Sequence, residues 1–495
     1  MKRILASALA ALMLVGTMAS CANDSGVTDD TQSRETIDEG SLKETLDIPD
    51  TKYNDLELIF LTRDDSEWST NEIFSEKANE DNISNAVYER NDMIREKYGV
   101  IIKEFKEAIA QHDQRVTTEV GAPTGDFSAV VSNTLVSASL AASGFLWDLN
   151  SDDIEYMDFT KSWWDTQLVQ GMSIGERLHF VTGDLLTADN DATFAILFNK
   201  SLATDARLPN LYELVDSNQW TMDKFYEFEQ TTKQDKDGNG KLEYNSDICG
   251  FAYTGDSPYC MMYAGGVSVT AKDEDDEPVY MLDVGRADDI AEKCRLIFSK
   301  EYTVDMNQPG DGNDIVSVGQ ECFGGGHALF FGECLQCVTR MRGFDVDFGI
   351  LPYPMFDANQ SGYHSVMHLT GSVVSIPRSV VETSKVSLTA VTSMLEAMSC
   401  FAQPTLTEQY YEINLKSKHS KDAESGPMID KILASRVCDL AYYYNWGNGI
   451  VSQLGNTMLP GSSKSIASQN KTYEKSIEGA IKKTLMRFEK NENKY

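Results

Sequence analysis

The strongest constraint on the fold is an alternation of patterns that begins at residue 56. Leu56 to Thr62 (LELIFLT) is a short run of the β type. NAVYERNDMIREKYGV follows, with Ala86, Val87, Met93, Ile94 and Tyr98 spaced for one apolar helical face, and Gly99 stops it. VIIKEF is a second strand and DFSAVVSNT a third. Strand, helix and strand in turn predict an α/β protein whose sheet is parallel at least in part. Ligands of such sheets bind beyond the carboxyl ends of the strands. That rule puts Asp64 to Trp68 and Asn133-Thr134 on one rim.

The segment before residue 52 has a different character. Lys2 and Arg3 precede the apolar run ILASALAALMLVG, and Met18-Ala19-Ser20 stand just before Cys21. This is the pattern of a secretory signal over residues 1–20. Cys21 at the cleavage point is where a bacterial lipoprotein is lipidated, and cleavage near Ala19 or Ala22 is the plain alternative. Residues 21–51 are polar and acidic and read as a disordered tether. About 440 residues remain, enough for two or three domains or two large lobes. No later stretch is apolar enough to span a membrane.

The chain has 43 basic and 77 acidic residues, a formal net charge of −34. A field of that sign repels phosphate backbones and anionic surfaces, so nucleic acid is excluded as a partner and neutral or cationic ligands are favoured. Eight cysteines follow Cys21. Cys334-Leu335-Gln336-Cys337 has redox or zinc spacing, but no second pair completes a zinc site, and disulfides and buried free thiols both remain open.

Later strands are expected at Leu178 to Thr182, Phe194 to Phe198, HALFFGE, VDFGILPYP and GSVVSIP. Thr221 is the expected N-cap of a helix with Asp223 in its first turn. SKVSLTAVTSMLEAMSCFA reads as an apolar helix, and the region from about Ile429 to Lys490 as mostly helical.

AVYERNDMIREKYGV, GDLLTADNDATFAILFNK, WTMDKFYEF, ALFFG and FGILPYP occur in this order. Together they resemble the extracellular solute-binding lipoproteins of ABC importers, of the maltose or oligosaccharide type. Phe198-Asn199-Lys200 after a hinge strand and Trp220-Thr221 opening the next helix carry most of the likeness, which covers nearly the whole mature chain. The resemblance implies a two-lobed, type II periplasmic-binding-protein-like fold with a hinge and an interlobe cleft. It implies crossings near Asp189 to Phe194, near Leu369 to Val374 and near residues 420–430. Residues 52–193 and 372–425 would then form lobe 1, and 194–371 and 426–495 lobe 2. It further implies a monomer on the outer face of the cell membrane, held by lipid, that passes a sugar or another neutral solute to a permease.

Sugar clefts use flat aromatic faces with carboxylates and amides. The candidates are Trp68 with Asp64 and Glu67, Asn133 on the rim, Asp189, Asn190 and Asp191 at the hinge, and Trp446 in AYYYNWGNG. An isolated Trp also suits core packing. Trp163 and Trp164 are adjacent and cannot share one face of a regular element, so at least one is assigned to the core; Trp147 is read as structural. No catalytic group stands out. His364 and His368 lack a nucleophile partner, Gly324-Gly325-Gly326 precedes a strand and not a helix, and no carboxylate pair is singled out. A surface glycoside hydrolase and a calcium-stabilised surface protein are the competing readings.

DKDGNGKLEYNSD, from Asp235 to Asp247, begins like a calcium loop. Asp235, Asp237 and Asn239 take positions one, three and five, Gly240 six, the Lys241 carbonyl seven and Glu243 nine. Ser246 stands at twelve, where a bidentate Glu belongs, and Asp247 comes one residue late. A strand and not a helix follows. No cofactor is required; a structural Ca2+ stapling this loop is the one ion the sequence raises, against an Asx-rich surface turn.

Overall fold

The computed structural model describes residues 42–64, 68, 72–76, 82–307, 315–411 and 424–492. The signal, Cys21, Glu67 and residues 420–423 at the start of the expected third crossing lie outside them. Eleven strands are formed among the described residues: β1 Leu56–Arg63, β2 Val100–Glu107, β3 Ala129–Asn133, β4 Phe194–Asn199, β5 Cys249–Tyr253, β6 Thr270–Lys272, β7 Pro278–Tyr280, β8 Thr303–Asp305, β9 Ala328–Cys334, β10 Phe348–Leu351 and β11 Ser372–Ser375.

Two sheets organise the molecule. The first has the order β11-β3-β1-β2 and the second β10-β4-β9-β5-β8; β6 and β7 pair separately. β1 runs parallel to β2 and β3, as their helical crossovers require. β11 comes from far along the chain and pairs antiparallel with β3, Ser372 opposite Asn133. In the second sheet β5 is parallel to β8 and β9, whereas β4 is antiparallel to both β9 and β10.

β4 shows why its sequence is almost wholly apolar. All six residues are buried. Phe194, Ile196 and Phe198 face the larger hydrophobic core, while Ala195 and Leu197 face a second core with Phe331, Phe348 and Ile350. A strand covered on both faces has no polar side to show. Beside it, Thr221 caps the helix Met222–Thr232 by accepting from the Lys224 amide, and the preceding Trp220 is fully buried with its Nε1–H donated to the Pro352 carbonyl.

Two sequence expectations are corrected. Leu178 to Thr182 is not a strand. Only Val181 pairs, with Val374 of β11, in an isolated bridge. The neighbouring backbone groups are taken by loops: the Leu178 amide donates to Asp148 and its carbonyl accepts from Leu149, while the Thr182 carbonyl accepts from Asp165. The tether expected to reach residue 51 also gives way earlier. Leu42, Leu46 and Ile48 pack on the main core, the Glu44 carboxylate accepts from the Ser162 amide at 3.0 Å, and Lys161 donates to the Thr45 carbonyl. Three apolar side chains within seven residues provide the contact that the acidic composition concealed.

The C-terminal helix Ile466–Glu492 has 27 residues, about 40 Å at the α-helical rise. It packs on the helix Val284–Ile297 and β7 at one end and on the helix Thr134–Ser143 toward the other. Among the described residues no helix is long and apolar enough to cross a membrane. The eight described cysteines are all free thiols, and only Cys438 is not fully buried.

Candidate functional site

The connections between the two sheets run side by side. Thr193 bridges Met367 antiparallel, the His368 amide donates to Ala192 at 2.8 Å, and the Phe194 amide to Val366. A third segment joins them where Ser365 pairs with Arg436. Glu72, from the first sheet's side, secures the start of this region: its Oε2 accepts from the Thr187 and Ala188 amides at 2.7 and 3.0 Å.

The carboxyl ends of β1 and β3 meet the 366–372 connection. Arg63, at the end of β1, donates to the Thr370 carbonyl, and Thr134, just after β3, donates to Leu369. Trp68 is half-buried and stacks on His368, with centroids 6.2 Å apart and planes 14° apart. His368 also meets Phe194 edge-on at 5.6 Å, and its Nε2 lies 3.8 Å from Oδ2 of Asp256, in the loop after β5. His368 therefore touches groups that follow strands of both sheets. Glu333, on β9, is electrostatically coupled to Asp256, and burial pushes its carboxyl up to about 7. Behind Trp68 a cavity of about 10 Å³, lined by Arg63, Glu72 and Ser372 among others, has room for a single water.

The candidates from the sequence fall in different places. Asp64 is exposed at the end of β1, beside Trp68 in the chain. Asn133 ends β3 on the same rim, but its Oδ1 accepts from the Val136 amide and caps the helix Thr134–Ser143. Asp189 is 1% exposed. Its Oδ2 is 3.1 Å from Arg436, which also pairs with Asp165. Burial, with the nearby carboxylates of Asp165 and Glu72, pushes the Asp189 pKa upward, and the Arg436 guanidinium opposes that shift. Asp191 accepts from the Tyr410 hydroxyl at 2.8 Å. Trp446 is buried, with its Nε1–H donated to Thr484 and its ring tilted against Tyr444, away from the Trp68 group. Trp147 is half-buried and donates to the Val380 carbonyl.

His368 and Asp256 were not picked out by sequence reasoning. The signal for His368 was its place on the connection just before GSVVSIP, where the chain returns to the first sheet.

The 235–247 loop is a separate site on the second sheet's side. Asp235 accepts from the Gly238 and Gly240 amides, Asp237 from Asn239, and Asn239 from Lys241. The hydrogen bond from Gly240, the largest of several effects, holds the Asp235 carboxyl below its usual value. Gly238 and Gly240 have φ of 73° and 82°, a region that suits glycine and lets the chain fold back on its own carboxylates. Asp247 is buried and accepts from the Lys236 and Glu243 amides, tying the loop's two ends together. One carboxylate oxygen each of Asp235, Asp237 and Asp247 can be taken within 4.8 Å of the others, a spacing that fits several oxygens around one Ca2+. Glu243 receives Asn239 Nδ2 and the Ser246 hydroxyl instead.

No protein-family model matches the chain, and no curated protein matches it. Solved structures do. The ABC substrate-binding protein Lmo0181 from Listeria monocytogenes, in complex with cycloalternan, aligns with a TM-score of 0.54 at 10% identity over 86% of this chain and 99% of that one. UgpB from Mycobacterium tuberculosis, in complex with glycerophosphocholine, aligns at 0.54 and 15% identity over 88% and 98%. An ABC transporter solute-binding protein from Thermotoga lettingae, bound with α-D-tagatose, aligns at 0.51 and 13% over 87% and 99%. Identities this low speak to fold, and they agree with two sheets joined by adjacent connections: the chain has the two-lobed α/β fold of periplasmic binding proteins, with a hinge and an interlobe cleft.

Proposed function

We propose that this protein is the solute-capturing subunit of an ABC importer. In this reading it binds a neutral solute, a sugar or oligosaccharide, in the interlobe cleft and delivers it to a membrane permease. Cys21 carries the lipid that holds it outside the cell membrane. The supporting observation is the Trp68–His368–Asp256 group. An aromatic face follows a strand of the first sheet, a carboxylate follows a strand of the second, and a histidine on the hinge touches both. A pyranose has apolar faces for the indole and hydroxyls for the carboxylate. His368 covers one side of Trp68, so the solute takes what remains exposed, with Asp64 and the Asn133 rim beside it. The net charge of −34 favours such a neutral ligand.

A panel of oligosaccharides tested by thermal shift checks this reading. A ligand that binds only the folded chain raises the melting temperature by mass action. Trp68→Ala should weaken that ligand by on the order of 2 kcal/mol, roughly thirtyfold in Kd. Turnover of a sugar without stabilisation would favour the hydrolase reading and overturn this one. Unchanged affinity in the variant would move the site away from Trp68.

A further inference from the structure

Cys249 opens β5, and Cys322 lies in the last turn of the helix Ile315–Gly324, which packs on that strand. One residue joins their backbones. The Cys249 amide donates to the His327 carbonyl at 2.8 Å, and the His327 amide donates to the Cys322 carbonyl at 2.8 Å. Both side chains enter the second hydrophobic core, at 1% and 0% exposure. There the two thiols meet. Their hydrogen-bonding contact, ahead of burial, pushes the Cys322 thiol well above its ordinary value.

The pair with redox spacing in the sequence is arranged differently. The Cys334 thiol is turned to the Ala192 carbonyl, 3.4 Å away, and Cys337 lies in the helix Gln336–Arg340. Cys337 acts on Cys334 only through charge. The closest approach of two thiols therefore joins cysteines that are distant in the chain, and the Cys-x-x-Cys motif does not supply it. A disulfide requires two thiols whose backbones are already held at short range. The double link through His327 supplies that for Cys249 and Cys322.

We propose that Cys249 and Cys322 are a disulfide-forming pair, and that their bond staples the helix Ile315–Gly324 to β5. The oxidant is another disulfide, small-molecule or protein, of the kind found outside the cytosol. One thiolate attacks it and forms a mixed disulfide, and the second thiol displaces the carrier. Two S–H bonds break and one S–S bond forms. The two electrons and two protons leave with the oxidant, whose own S–S bond becomes two thiols. Neither cysteine reaches solvent once the chain is folded, so the bond forms before the helix seats on the strand. Afterwards the same burial shields it from reductants. The staple closes a long loop, the case in which a disulfide restricts the unfolded chain most. This inference does not depend on the proposed function of the cleft.

The test is refolding of the full chain in a buffer of reduced and oxidised glutathione, followed by unfolding with N-ethylmaleimide and no reductant. Peptide mass mapping should find Cys249 joined to Cys322 and the other described cysteines alkylated. The oxidised protein should melt several degrees above the same protein after reduction. Cys322→Ala places a small apolar side chain in an apolar site. In that variant Cys249 should be alkylated, and the melting temperature should no longer depend on the redox buffer. Cys249→Ala should do the same to Cys322. The map of the unmutated chain decides the matter even if neither variant folds. Alkylation of both cysteines after oxidative refolding, or a bond from either one to a third cysteine, would overturn the proposal.

Discussion

Trp163 and Trp164 are neighbours in the chain, yet both give their indole N–H to one carboxylate. Nε1 of Trp163 is 3.1 Å from one oxygen of Glu396, and Nε1 of Trp164 is 2.9 Å from the other. The rule that neighbours face opposite ways holds for strands and helices, and this segment is neither, so both indoles enter the core. Glu396 is 2% exposed. Burial pushes its carboxyl up to about 7; the indole hydrogen bonds work against that shift, and the charge of Asp158 adds to it. The unfolded chain releases this proton near the ordinary carboxylate value, while the folded chain keeps it to about 7. Between those values the folded state holds more protons, so Glu396 makes stability fall as pH rises, by about 3 kcal/mol across the window. Denaturant unfolding of the protein and of Glu396→Gln at steps from pH 4.5 to 7.5 should show that the variant lacks this part of the slope. Parallel pH profiles would refute it. Other residue-scale roles were hidden from sequence. Asp189 and Asp191 read as ligand groups, but Arg436 lies 247 residues from the first and Tyr410 lies 219 from the second. No local pattern announces partners at such distances.

Elements were more legible, because periodicity is a local property. The strands around the first crossover and the both-faces-buried strand β4 follow directly from where their apolar residues fall. Leu178 to Thr182 misled because a short apolar run does not say whether a neighbouring strand offers a ladder; here loops claimed its backbone groups. The 235–247 loop is the opposite case, since its carboxylates fold the backbone around themselves. Its ends are joined by Asp247, and the strand that follows begins at Cys249. A bound Ca2+ would link Asp235 and Asp237 to that same buried residue. Millimolar Ca2+ is therefore expected to raise the melting temperature by a few degrees relative to a chelator, and Asp237→Asn, at an exposed position, should reduce the rise. A melting curve indifferent to calcium would leave the loop as a self-capped turn.

At the scale of the whole molecule, the proposed solute capture depends on the two halves moving. The connections are paired with one another through Thr193–Met367 and Ser365–Arg436, which ties the three segments together. His368 sits among them with Trp68 on one side and Asp256 on another. A solute that contacts both sides is bound better by the closed arrangement, and only this difference in affinity can shift the population. A solute bound to a single lobe would leave the open–closed balance where it was. Small-angle scattering with a saturating sugar from the thermal-shift panel separates these cases. The radius of gyration should fall on binding, and at the same sugar concentration Trp68→Ala should keep the larger value because its site is unfilled. Adding sugar until the variant is saturated should then recover part of the contraction, since Asp256 and the hinge remain in place. A sugar that binds with no change in radius would mean that capture does not close the cleft, and the importer mechanism would lose its moving part.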